Sequence, residues 1–319
     1  MLSRLSILIL FLCYLPAQAV PAGMDKFKII SADKLDYEDG NSTLIGNVKI
    51  AIGDFTLAAP KVLIDSDANG EPSYAHFLDQ ATLDSEKISI EAQTMDIDVA
   101  KSLLKCFAAA DGTITTTLFT AKQANLYSEY QEIDLVTGFA KASAKEGAKI
   151  KYISEDLSVE SINMELELKD LREVKFVNFL EEVSAIGDDM RLESRDLLYF
   201  PDQELIKAND DVKLLLLNGE QASYLFADAA IYEEQSQLVT ALSRSLEPGA
   251  EIHSAGMFGK ARQIQAQLIN GNQLESAVLT GEAYAQYLDK SVLGHEILFD
   301  AGKQELKTLV GRPRTRLLK

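Results

Sequence analysis

The chain has 319 residues, of which 47% are apolar, and a formal charge of -18 from 31 Lys+Arg against 49 Asp+Glu. That apolar share supports a buried core and excludes wholesale disorder. The negative balance excludes a general attraction to nucleic acid or to an anionic membrane surface.

The chain opens on a targeting segment. Arg4 supplies a positive start, Leu5 to Leu15 form an apolar run too short to span a bilayer, and Ala17-Gln18-Ala19 is a small-x-small cleavage pattern. The expectation is a signal peptide over residues 1–19, export, and a location in the periplasm. Its removal takes Cys13 with it and leaves Cys106. No internal disulfide then forms, and a lone Cys in an apolar setting reads as a small buried hydrophobe.

Next comes a repeat. One phrase recurs, ending in turn at Ile64, Ile97, Tyr127, Val159, Tyr199, Tyr232, Ile264 and Phe299, with steps of 33, 30, 32, 40, 33, 32 and 35 residues. A period near 33 also belongs to helical repeats, so the inner pattern must decide. It alternates by two: Leu44, Val48 and Ile50 share a face, as do Phe55, Leu57 and Ala59, and Val212, Leu214 and Leu216. That is strand periodicity. Turn clusters such as "DSDANGEPS" from Asp65 separate the phrases. The one stretch where a helix competes, Ser161 to Val183, also fits the strand unit. The expected fold is all-β, with about 16–18 antiparallel strands in stacked hairpin repeats of roughly 33 residues.

"ISADKLDY" from Ile30 and "LESRDLLY" from Leu192 echo each other at an offset of 162. This predicts two halves, 20–187 and 188–319, with no linker between them and one continuous stack.

The motifs of catalysis are missing. "DSDANG" begins like a calcium loop, but His76 stands where the closing Glu belongs, so it reads as a hairpin turn. His76, His253 and His295 sit in different units without ligand spacing. We expect no catalytic residues, no metal and no cofactor. What the alternation does predict is an apolar strip lined by Leu44, Val48, Ile50, Phe55, Leu57, Val62, Ile64, Val212, Leu214 and Phe226. Such a strip is either a trough for fatty chains or a filled core, and the residues leave both open. Near the end, Arg312, Arg314 and Arg316 lie on one face of a strand. They suit lipid phosphates, an acidic partner strand, or plain solvation.

The residues also carry a resemblance. Ala32-Asp33, Gly46-Asn47-Val48 and Ala227-Asp228, with lone glycines at Gly138, Gly281 and Gly311, resemble the units of the OstA-like family of lipopolysaccharide-transport proteins. The resemblance implies an elongated, twisted β-jellyroll, open at both ends, whose interior holds acyl chains. It implies lipopolysaccharide or a related lipid as cargo, and other OstA-like proteins of the inner and outer membrane as partners. The rival reading is an envelope scaffold that binds no lipid and docks partners through its edge strands. Because an unclosed stack leaves an edge at each end, head-to-tail self-association is expected as well.

Overall fold

The computed structural model describes residues 27–38, 41–119, 123–169, 173–218, 221–244, 249–254, 256–269, 272–310 and 314–317. The expected signal peptide and its cleavage site lie outside the described residues. The described residues form 28 antiparallel strands and one 3-10 turn, Pro201–Gln203. The strand expectation holds for the ambiguous stretch too, which forms Asn163–Lys169 and Glu173–Ile186.

The strands build two layers that run side by side. Layer A begins with Lys34–Glu38 and layer B with Lys28–Ser31, and both pair with the long strand Asn41–Ile52. That strand crosses from layer A to layer B, and Phe55–Ser66 crosses back. The chain then alternates. Pro72–Leu78 in layer A precedes Ala81–Asp84 in layer B, Ile88–Ala92 in layer B precedes Thr94–Asp98 in layer A, and so on. Each row is thus a V with one arm in each layer, and rows stack from Lys28–Glu38 to Glu305–Leu317. Counted this way the described strands make eighteen rows, at the top of the expected range.

The corners of the V explain the repeat. Going from layer B to layer A, each row turns on one residue, and the residue just before it is small. Those residues are Ala59, Ala92, Ser128, Ser161, Ser194, Ala227, Ala261 and Gly294, at steps of 33, 36, 33, 33, 33, 34 and 33. Most are buried, because the two layers converge there and leave no room for a larger side chain. Measured at the corner, the irregular step of 40 between Val159 and Tyr199 disappears. The unevenness lay in marking units by their last apolar residue.

The return corners, from layer A to layer B, use pairs of left-handed residues. Gly46 and Asn47 have φ of 75° and 47°, Glu181 and Glu182 65° and 52°, and Asp210 and Asp211 58° and 55°. At each pair the ladder register breaks and resumes. A break of this kind bends a strand sharply. The Gly-Asn phrase is such a return corner, and the Ala-Asp phrases are corners of the first kind, from layer B to layer A. The Asp33 N–H donates to the carbonyls of Ile45 (3.1 Å) and Gly46 (2.9 Å), and Asn47 Nδ2 donates to Asp33 Oδ2 at 3.1 Å. A Cβ on Gly46 would lie 2.3 Å from Asp33 Oδ2, so only glycine fits. Asp228 takes the same part further on, accepting from Ser243 Oγ at 3.0 Å and from the Arg244 N–H. Gly281 is a corner like Gly46, whereas Gly138 sits at a hairpin tip and Gly311 lies outside the described residues.

The expected turn at "DSDANG" is a hairpin. Asp67 Oδ1 accepts the N–H groups of Asn69 (2.8 Å) and Glu71 (2.9 Å), with strands on both sides. Those bonds, Glu71 first, hold the Asp67 carboxyl below the usual range. At Gly187–Asp189, where the halves were expected to meet, the chain makes a tight turn between two strands paired to each other.

Candidate lipid-binding interior

Among the described residues, the space between the layers runs through nearly every row of the stack. Inward side chains form a single apolar cluster from Leu44 to Phe299. Among the expected lining residues, Leu44, Val48, Ile50, Phe55, Leu57, Val62, Ile64, Val212 and Leu214 all point inward and are buried. Phe226 does not, which corrects the expectation. Leu225 stands opposite Leu214 and faces inward, so the pleat turns Phe226 outward beside Lys213, 37% exposed. There it stacks edge-on against His253 and walls an outer cleft of about 210 Å³ with Lys213, Asp228 and Glu251. The larger lining groups that the alternation also marks are Phe77, Phe179 and Phe299.

Among the described residues no charged side chain is buried between the layers. The buried polar side chains are serines, Thr116, Gln131 and Asn272. Such a lining is chemically compatible with hydrocarbon and unfavourable to a phosphate or carboxylate. The space is also closed. Leu57, Val62, Phe77, Ile90, Met95 and Ile97 are all 0% exposed, so opposing side chains fill the space and no water reaches it. Cys106 lies in this interior, and burial drives its thiol far above the usual range, which keeps it protonated and inert.

Two polar contacts stitch the layers together. Near the corners, Thr116 Oγ1 of layer B donates to Gln131 Oε1 of layer A at 2.7 Å, and Gln131 Nε2 donates to Ser128 Oγ at 2.9 Å. On the open side, Asn272 Nδ2 donates to the Asp189 carbonyl at 3.2 Å, while Tyr232 Oη donates to Asn272 Oδ1 at 3.4 Å. Neither contact was visible in the sequence, since each joins residues of different rows.

Among the described residues, apolar side chains become exposed at the first and last rows. The first row, Lys28–Ser31 and Lys34–Glu38, pairs on one side only among the described residues. Its Ile29, Leu35 and Tyr37 stand opposite Ile50, Leu44 and Ser42, yet are 44%, 58% and 72% exposed. The last row, Glu305–Val310 and Arg314–Leu317, likewise pairs only with Lys290–Asp300. Arg312 lies outside the described residues. Arg314 and Arg316 pair through their backbones with Leu293 and Ser291, and their side chains are not described.

The outer faces carry cross-strand ion pairs such as Lys175–Glu167 (2.7 Å) and Lys213–Glu193 (3.1 Å), which are exposed and contribute little. His76 Nδ1–H donates to Asp96 Oδ1 (3.0 Å) on the outside of layer A, far in sequence from His253 and His295. Among the described residues no three His, Cys, Asp or Glu side chains gather to hold a metal, and no helix is long and apolar enough to cross a membrane.

Comparison with known proteins agrees with the corner motifs. Residues 29–155 match the family described as LptA/(LptD N-terminal domain) LPS transport protein. No match was found among curated proteins. Among solved structures, the chain is similar to the crystal structure of LptH, the LptA homologous periplasmic component of the lipopolysaccharide transport device from Pseudomonas aeruginosa. That similarity is at 11% identity and a TM-score of 0.29, over 51% of this chain and 94% of that one. Residues 29–155 are thus similar to the LptA/LptD N-terminal-domain family of lipopolysaccharide transport, the OstA-like family that the corner phrases resemble.

Proposed function

We propose that this protein is a periplasmic component of lipopolysaccharide transport to the outer membrane, which takes acyl chains between its two layers. The match of residues 29–155 to that family, on a stack whose interior is apolar and uncharged, carries the reading. Leu44, Val48, Ile50, Phe55, Leu57, Val62, Ile64, Val212 and Leu214 would contact the hydrocarbon, and headgroup phosphates would remain outside. Arg312, Arg314 and Arg316 would meet those phosphates or a partner's acidic strand. The halves 20–187 and 188–319 would act as one run, delivered by cleavage after Ala19. Other OstA-like proteins would dock on the two open edges.

Because the interior is filled, a chain enters only as the layers part. Each methylene buried returns about 0.8 kcal/mol, so a dozen return roughly 10 kcal/mol against the contacts given up. The same filled interior favours a second reading, an envelope scaffold that docks partners by its edges and takes no lipid. Incubating the purified mature protein with lipopolysaccharide and separating the mixture by size separates the two. Transport predicts lipid in the protein fraction. The scaffold reading predicts none, with end-to-end assembly retained.

A further inference from the structure

We propose that Asn272 is a latch that holds the open side of the V shut, and that its release admits the lipid chain. The lipid part of this inference rests on the transport reading above. The latch itself rests on geometry alone.

Asn272 lies in the turn between Gln263–Ile269 and Gln273–Tyr287, a hairpin tip of layer A. Asp189 lies in the turn between Glu173–Ile186 and Met190–Phe200, a tip of layer B. The chain joins the layers at their corners, so these tips are on the opposite, unjoined side. The Asn272 side chain spans the gap. Its amide donates to the Asp189 carbonyl, 83 residues away, and its own oxygen accepts from Tyr232 of layer A. The same Asp189 carbonyl takes the Leu217 N–H of layer B at 2.8 Å, so the latch is seated on a fixed acceptor. Asn272 is 8% exposed and has φ of 65°, a backbone state that asparagine and glycine tolerate. Both features fix the amide in place. The cluster between the layers is apolar, and apolar contact has no direction and lets surfaces slide. A hydrogen-bonded crossing is directional, and so is a place where opening has a definite threshold.

Two variants test it. Asn272→Asp keeps shape and backbone preference but replaces the donor with a carboxylate facing a carbonyl. Asn272→Gly keeps the φ and removes the side chain. Spin labels at the exposed Asp188→Cys and Gln273→Cys positions report the gap, and Cys106 is too buried to take label. In the lipid-free protein, both variants should broaden the distance distribution toward longer values, and a label pair on one layer should not change. Uptake of lipopolysaccharide should become roughly fivefold faster, the factor that one net hydrogen bond is worth. An unchanged gap in both variants overturns the latch. A widened gap with no lipid uptake by any form upholds the latch and overturns the transport reading. Uptake by the parent with no acceleration in either variant overturns the latch as the gate.

Discussion

Replacing Gln131 by Leu tests whether the layers are stitched by specific polar contacts or only pressed together. Gln131, Thr116 and Ser128 are each 2% exposed and share two hydrogen bonds of 2.7 and 2.9 Å. Leu fills much the same volume, so the apolar contacts survive. What is lost is both hydrogen bonds, and two buried hydroxyls are left without their partner. An unsatisfied buried polar group costs about 1–3 kcal/mol. Since a hydroxyl can rotate toward a nearby carbonyl, we expect roughly 2–4 kcal/mol of destabilisation in all. The triple variant Gln131→Leu, Thr116→Val, Ser128→Ala removes the stranded hydroxyls and should return to within about 1 kcal/mol of the parent. Urea titration followed by circular dichroism measures the difference. A stack of rows can unfold in parts, so amide exchange over residues 103–134 should locate the loss there. If the single variant is as stable as the parent, or the triple is less stable than the single, the stitch contributes nothing and the reasoning fails.

Gly46→Ala should cost clearly more than Gly70→Ala. Both glycines have positive φ, but a Cβ on Gly46 strikes the Asp33 carboxylate and one on Gly70 meets open space. We expect about 1 kcal/mol for Gly70→Ala and about 2–4 kcal/mol for Gly46→Ala by the same titration. Stability should also fall as pH rises. Burial raises the Cys106 and Tyr152 groups, and burial followed by the Glu132 bond pushes Tyr130 up to about 12. The unfolded chain ionises first, near pH 8.5 for Cys and 10 for Tyr, and so stability is full below these values and lost above them. Urea midpoints that stay flat from pH 8 to 11 would contradict the burial of these groups. Deleting residues 305–319 should abolish any growth of sedimenting mass with concentration while leaving the β-type spectrum. Continued growth would show that contact does not use that edge.

Much of this architecture is written in short-range pattern. The alternation of Phe55, Leu57 and Ala59 places three side chains inward because the pleat repeats every two residues. The period of the stack is legible too, once it is counted at Ala59, Ala92, Ser128 and their successors, where convergence of the layers demands a small side chain. Phe226 shows where pattern misleads. Its hydrophobicity suggested the interior, but Leu225 next to it already faces Leu214, and adjacent residues cannot share a face. The stitches were out of reach for a different reason. Gln131 meets Thr116, and Asn272 meets Asp189, only because two layers lie face to face, and no local spacing encodes that offset.

The most direct measurement is photo-crosslinking from inside the fold in intact cells, with adducts identified by mass. A photoreactive residue at Leu57, which is buried between the layers, should capture lipopolysaccharide, and one at its outward neighbour Thr56 should not. Capture at both positions alike, or at neither while the protein is folded and exported, would contradict an acyl chain held between the layers.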